Sequence, residues 1–421
     1  MAAELTNWAG NVEFAAQKLL SPASLEELQD IVASNDRVRA LGAGHSFNRI
    51  ADTTGVLVSL DAMPRLAEAD TARRTVRVGG GVRLAELCAE LRRHDLALAN
   101  LPSTPHFSVA GAFATGTHGS GDGNGTLASA VSAVELVTAD GSQLVLARGD
   151  EGFEGAVTSL GALGIITALT LDLLPGYEIE QRVFLGLPWS ALTGQEQFER
   201  VFSAAYSVSA FTHWDDAPLR LFTKRRPADP LPDLAWSGAR PAEAPSHPIE
   251  GMPVANATEQ LGVPGPWDER LPHFRAGFMP SVGDELQSEY FVGRADAAEA
   301  VRALRALHPQ LSPVLQISEI RTIAADTAWL SPTHGRDSVA FHFTWIADPA
   351  AVAPVLLSIE QALAPFGVRP HWGKLSSMDP GAVRASYEHG ERFRELLLRT
   401  DPAGTFRNEL IDGYFPADPQ T

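Results

Sequence analysis

One cysteine, Cys88, occurs in 421 residues. That excludes an intrachain disulfide and any thiolate-based metal site, and it fits a reducing compartment. No Lys/Arg-rich run is present, and the formal net charge is -18. Such a surface repels a phosphate backbone, so nucleic-acid binding is disfavoured. No apolar run approaches the roughly 18 residues needed to span a bilayer. The opening MAAELTNWAG has no basic stretch followed by an apolar core, so no secretory signal is expected. The histidines lack H-E-x-x-H or a comparable spacing, which sets a zinc hydrolase aside. The expectation is a cytoplasmic, monomeric protein with no metal, membrane or nucleic-acid partner.

What is present is the composition of a folded chain, 45% hydrophobic and 20% charged. At about 150 residues per domain, the length predicts two or three domains. The first 175 residues read as strands and helices in alternation. Ser24 and Glu27 form an S-x-x-E capping box before a helix over Leu25 to Ala33. Arg37 to Leu41, Gly55 to Leu60 and Arg74 to Val78 read as strands. Gly79-Gly80-Gly81 precedes a helix with Leu84, Leu87 and Leu91 on one face. Val131 to Thr138 and Gln143 to Ala147 flank a hairpin turn at Ala139-Asp140-Gly141-Ser142, and Ile165 to Leu174 is an apolar strand. Residues 224 to 273 are proline-rich and read as long ordered loops. Gln287 to Val292, Val314 to Ile323 and Val339 to Ile346 read as strands, with helices over Ala295 to Leu307 and Ala350 to Leu363.

Two glycine loops stand out. Leu41-Gly42-Ala43-Gly44-His45-Ser46-Phe47 leaves a strand and turns sharply, exposing backbone N–H groups that can cradle a phosphate or a ring edge. A dinucleotide Rossmann motif needs a third glycine where Phe47 stands and a helix directly after, and neither is there. The second loop, Gly111 to Gly125, reads GAFATGTHGSGDGNG and carries six glycines. A flexible surface loop is one reading. A backbone approaching a pyrophosphate accounts better for that density, because N–H groups and hydroxyls neutralise the anion without bulk.

In order and spacing these loops resemble the FAD-binding domain of the vanillyl-alcohol-oxidase family. Thr6-Asn7-Trp8-Ala9-Gly10-Asn11, Gly42-Ala43-Gly44-His45-Ser46-Phe47-Asn48 and Ala114-Thr115-Gly116-Thr117-His118-Gly119-Ser120-Gly121 are similar to its alditol and aldonolactone oxidases. Asp401-Pro402-Ala403-Gly404-Thr405-Phe406-Arg407-Asn408 resembles the family's closing segment. The resemblance implies an α+β protein: a two-part FAD-binding domain over 1–175 and 372–421, and a cap over 176–371 built on an antiparallel sheet. It implies FAD joined covalently to the His45 ring. Flavin contacts carried over by position are Leu41, Gly42, Ala43, Gly44, His45, Ser46, Phe47, Ser103, Ser108, Thr115, Gly116, Thr117, His118, Gly119, Ile166 and Lys374. Some relatives attach flavin twice, with a Cys near 102 to 104. Here that segment is Pro102-Ser103-Thr104, so a single link is expected.

The cap narrows the substrate. Glu319 and Arg321 alternate on an apolar strand and so share a face, as do His342 and Thr344. Each admits a structural reading: Glu319 and Arg321 an ion pair, Lys374 a surface charge. Together with Ser103 they make a polar set suited to a polyol, whose hydroxyls both donate and accept. The resemblance places Ser103, Glu319, Arg321, Thr344 and Lys374 at the substrate, with His342 beside them. It implies oxidation of a primary alcohol by dioxygen, Arg321 and Lys374 stabilising charge on the reacting oxygen. No strong side-chain base for the hydroxyl proton is apparent. Pro102 stands where alditol oxidases carry alanine, and Thr104 replaces an apolar residue. An aldonolactone oxidase or dehydrogenase on the same fold, and a carbohydrate-binding protein without activity, remain as alternatives.

Overall fold

Two kinds of sheet organise the chain. The computed structural model describes residues 5–278 and 283–417. The first four residues of the opening segment and the last four of the C-terminal return lie outside the described residues. A three-stranded parallel sheet places Val56–Val58 between Lys18–Leu20 and Val38–Ala40. A five-stranded antiparallel sheet follows the order Ala67–Asp70, Thr75–Gly79, Ile165–Asp172, Val131–Val137, Gln143–Ala147. Helix Leu25–Ala33 begins where the capping box puts it: Ser24 Oγ accepts from Glu27 N at 3.2 Å. The Glu27 carboxylate accepts from Ala23 N, one residue ahead of the cap. Helix Leu84–Arg93 buries Leu84, Leu87, Cys88 and Leu91.

The larger sheet has nine strands, in the order Arg240–Pro241, Glu178–Leu187, Leu219–Arg225, Ser207–Thr212, Leu315–Ile323, Ser338–Ile346, Glu285–Gly293, Arg369–Pro370, with Gly265–Pro266 paired to Glu178–Leu187. Every pairing in it is antiparallel. Ile320, Phe341, Phe343, Tyr290 and Val292 join the core formed with helices Gln195–Phe202, Ala297–Arg305 and Pro349–Leu363. Alternation therefore turns Glu319, Arg321, His342 and Thr344 to the opposite face.

Several of these elements were not legible beforehand. Strand Glu178–Leu187 carries adjacent buried polar residues, Glu180 and Gln181, which spoil its hydrophobic alternation. Each finds a distant partner: Arg225 Nε donates to Glu180 at 2.7 Å, and the Gln181 NH2 donates to Thr258. The count of apolar runs also needs correction. Pro349–Phe366 is 18 residues with a mean hydropathy of 1.3, long and apolar enough to cross a membrane by length and composition alone. Alanines and prolines diluted its apolar signal to the eye, and Glu360 is its one charge. One face of it, through Val352, Val355, Ile359 and Leu363, packs into the core under the nine-stranded sheet.

The C-terminal helices Pro380–Ala385, Gly390–Thr400 and Glu409–Tyr414 share a core with Ile50, Ala156, Leu160 and Leu163. Asn408 donates to the carbonyls of Arg49, Ile50 and Asp52. Buried Arg39 ties the same region together, reaching the carbonyls of Ile50, Leu160, Gly161 and Phe406.

Candidate active site

A cavity of about 290 Å³ lies between the glycine loops and the polar face of the nine-stranded sheet. One side is mostly loop: residues 40–48 leaving strand Val38–Ala40, then Gly80-Gly81, residues 102–104, Ser108, Ala110, Gly111 and Ala112, Thr115, Thr117 and His118, and Gly161, Gly164 and Ile166. The other side is strand: Phe211, Glu285, Gln287, Glu289, Ile317, Glu319, Arg321, His342 and Thr344. His371, Gly373 and Lys374 close it from the C-terminal return.

The loop side suits a flavin nucleotide on its own chemistry. Among the described residues, the N–H groups of residues 42 to 46 donate to no protein acceptor, and all five residues line the cavity. Backbone donors in such a run are an anion cradle. A Cβ on Gly80 would sit 2.3 Å from the Ile166 backbone carbonyl, so that position must be glycine for the loop to close, while one on Gly42 would sit 2.4 Å from Ser108 Oγ, a side-chain atom that can turn aside. Among the described residues, the Thr104 hydroxyl and His118 Nε2 are buried polar atoms without a hydrogen-bond partner. The His45 ring packs against Trp8 at 4.9 Å and Phe107 at 5.0 Å between centroids. Burial, with His106 and Arg83 adding to it, pushes its pKa down to about 4, so the imidazole is neutral. A neutral ring with a free lone pair is the nucleophilic form.

On the strand side the charges converge on a residue that the sequence reading did not single out, Glu289, which is 1% exposed. Arg321 donates to its Oε1 at 2.5 Å and Lys374 to its Oε2 at 2.8 Å. Burial opposes ionisation of Glu289, but Lys374, Arg321 and His118 outweigh it and hold the carboxyl well below its usual range. Glu319 is likewise held ionised against its burial, chiefly by Arg321 and His273. His273 Nε2 lies 3.0 Å from Glu319 Oε1, and Lys224 Nζ lies 3.5 Å from His273 Nδ1. Burial lowers Lys224 to about 7. Across the sheet His342 faces Glu319 in register and pairs with Gln287 Oε1 at 3.1 Å. Glu289 had a signal: Glu285, Gln287 and Glu289 alternate on strand Glu285–Gly293, and all three line the cavity.

Of the residues singled out from sequence, the cavity gathers Leu41, Gly42, Ala43, Gly44, His45, Ser46, Phe47, Ser103, Ser108, Thr115, Thr117, His118, Ile166, Glu319, Arg321, His342, Thr344 and Lys374. Gly116 and Gly119 are not in its lining. Gly116 has φ +72° and packs against Pro332, and a Cβ on Gly119 would meet the Leu101 carbonyl at 2.6 Å. Of the six glycines from 111 to 125, the cavity is lined by Gly111, so the loop's glycine density serves its own tight packing more than a ligand. Away from the cavity, His334, Glu388 and His389 place potential metal-ligand atoms within 4.8 Å of one another. Burial, then His389 and Arg369, lower the His334 pKa, and Asp326 and Glu388 act against them.

Known proteins match both halves of this arrangement. Residues 16–147 match the family described as FAD binding domain, and residues 283–414 the family described as D-arabinono-1,4-lactone oxidase. The chain is 53% identical to an alditol oxidase from a Streptomyces species, covering 98% of this chain and 100% of that one. It is 28% identical to the L-gulono-1,4-lactone dehydrogenase of Mycobacterium tuberculosis over 96% and 97% of the two chains. The fold is similar to that of cholesterol oxidase from B. sterolicum, with a TM-score of 0.79, 16% identity, and 98% and 96% of the chains covered. An FAD-binding half, a cap on an antiparallel sheet and the full-length match together place the chain in the alditol oxidase family, among the flavin oxidoreductases of the vanillyl-alcohol-oxidase type.

Proposed function

We propose that the chain oxidises the terminal primary alcohol of an open-chain alditol, such as xylitol or sorbitol, to the aldose, with dioxygen reduced to hydrogen peroxide. FAD is held covalently through His45, with residues 1–175 and 372–421 as the flavin domain and 176–371 as the cap, in a monomeric cytoplasmic enzyme. The observation that carries this reading is one cavity lined on one side by His45 and its free backbone N–H groups, and on the other by Glu319, Arg321, Thr344 and Lys374.

When bound, FAD would supply a two-electron acceptor for the hydride of the substrate's C1, with dioxygen as the final acceptor. The chain's residues do the rest. Arg321 and Lys374 are preorganised cations that stabilise negative charge growing on the reacting oxygen. Glu289 fixes both before substrate arrives, so no reorganisation is needed at the moment of reaction. Glu319, ionised and held by His273, accepts from a substrate hydroxyl. Ser103 and Thr344 offer hydroxyls that donate or accept, holding the polyol so that C1 stays in reacting position. The apolar residues Phe211, Ile317 and Phe274 line the same cavity and limit water.

A lactone offers a ring ester and fewer free hydroxyls, and it would leave the Glu319 carboxylate without a full set of donors. The open polyol is favoured on that ground. The test is a visible spectrum before and after acid precipitation, followed by a peroxide assay over a panel of polyols and aldonolactones. Colour retained in the pellet and peroxide from alditols support the reading. Free FAD in the supernatant contradicts the covalent link, and peroxide from lactones alone contradicts the substrate.

A further inference from the structure

The proline-rich stretch from 224 to 273 ends at the cavity, and its last residue, His273, grips both walls. His273 is 5% exposed. Its backbone N–H and that of Phe274 both donate to the Ser103 carbonyl, at 3.1 and 3.2 Å. Its side chain reaches the other wall, where Nε2 lies 3.0 Å from Glu319 Oε1. A carboxylate only accepts, so Nε2 carries the ring hydrogen and donates. On the far side of the ring Nδ1 meets Lys224 Nζ at 3.5 Å, and that nitrogen brings donors. Both neighbours therefore call for the same tautomer. Phe211 and Phe222 pack edge-on against the ring, at 5.2 and 5.6 Å between centroids. The loop is anchored in turn. Thr258 donates to the His273 carbonyl through N and to the Pro272 carbonyl through Oγ1, and the Gln181 NH2 reaches Thr258 from the nine-stranded sheet. Ser103 and Glu319 both line the cavity. Among the described residues, Ser103 Oγ has no hydrogen-bond partner, and Glu319 Oε2 has none either, Arg321 Nε lying 3.7 Å from it.

We propose that His273 is a positioning residue that sets the separation of Ser103 and Glu319, and so selects among alditols by where their hydroxyls fall. This rests on the function proposed above. The main chain of one residue sits on Ser103 and its side chain on Glu319, so the two hydroxyl-holding groups cannot drift apart independently. With Oε1 of Glu319 taken by His273, Oε2 is left to accept from a substrate hydroxyl, and Ser103 Oγ is left for another. A long alditol can engage both while C1 stays beside Arg321 and Lys374. Glycerol has the fewest hydroxyls to offer and depends least on the match. Without the His273 donor the Glu319 carboxylate is free to turn toward Arg321. The loss then falls on the long alditol, whereas a general loosening of the core would fall on both.

The test compares holoenzymes carrying His273→Leu, which removes the donor, His273→Phe, which removes it and keeps a ring, and His273→Gln, which keeps an N–H donor. Steady-state kinetics are measured with xylitol and with glycerol. The Leu and Phe variants should lose about 10- to 100-fold in kcat/KM on xylitol, chiefly through KM, and clearly less on glycerol. The Gln variant should recover most of the xylitol-to-glycerol ratio. A ratio that stays at the parent's value in the Leu and Phe variants would make His273 a core residue only and overturn the proposal. A second readout needs no turnover: crystal structures of the resting holoenzymes. A Glu319 carboxylate displaced in the Leu or Phe variant and restored in the Gln variant supports the proposal, and one that stays in place without the donor overturns it. Should neither variant fold, nitrogen-15 NMR of the histidine-labelled parent decides, with His273 assigned by its loss in His273→Gln. A protonated Nε2 at rest supports the proposal, and a bare one overturns it. If no alditol is oxidised, the function reading fails on its own, and the position of Glu319 still decides whether His273 sets it.

Discussion

Glu289 is the residue on which the site's electrostatics turn. Removing its carboxylate takes from buried Lys374 the carboxylate it pairs with and leaves Arg321 with Glu319, 3.7 Å away, and breaking a buried ion pair from one side costs about 3–5 kcal/mol. Glu289→Ala should lower the melting temperature well beyond the effect of an exposed Glu→Ala, and differential scanning calorimetry checks it; a shift no larger than the exposed control would mean solvent reaches the cluster. Ser103 and Thr344 should behave otherwise. Hydroxyl contacts away from C1 bind ground and transition state alike, so Thr344→Val should raise KM with a small change in kcat, seen in steady-state kinetics. Sequence exposed Glu319 and Arg321 because they interrupt an apolar strand. Glu289 escaped because its strand alternates more weakly, and its importance arises from Lys374 and His118, residues far away in sequence that only the fold brings near it.

At the scale of elements, one close approach holds a loop against a strand. Strand Thr75–Gly79 runs into Gly80, where an added Cβ would meet the Ile166 carbonyl, a backbone atom that cannot turn aside. Gly80→Ala should cost roughly 1–3 kcal/mol through overpacking and should weaken flavin retention, measured as the melting temperature and the flavin-to-protein absorbance ratio. An unchanged ratio and melting temperature would show that the strands can part. The capping box, the Asp140 hairpin and the strands around 317–323 and 338–346 were readable because each depends on neighbours in sequence. The strands between 178 and 225 were not, because their polar residues find partners across the sheet or in loops more than 30 residues away, as Glu180 does in Arg225 and the Gln181 NH2 in Thr258.

For the whole molecule, the sign of the pH response follows from buried groups. Burial pushes His273 down to about 4 and His342 down to about 3, and lowers His118 and His371 as well. In the unfolded chain these rings titrate near about 6.5. As pH falls below that value the unfolded state takes up protons that the folded state refuses, so stability is lost toward the folded pKa values. Lys224 acts in the same direction at higher pH: its folded value of about 7 lies below its unfolded one, so its contribution is lost as pH falls through 7. The melting temperature should drop as pH goes from about 7 to about 4, and His273→Gln should flatten the slope. A parent curve flat over that range would contradict the burial of these rings. The central claim is that an alditol's electrons leave through the cavity that Arg321 and Lys374 share. Anaerobic stopped flow, following flavin bleaching by xylitol in the parent, Arg321→Met and Lys374→Met, tests it most directly. The account predicts that each variant retains its flavin and reduces it about 100- to 1000-fold more slowly. Reduction within a few-fold of the parent in both would place the chemistry elsewhere.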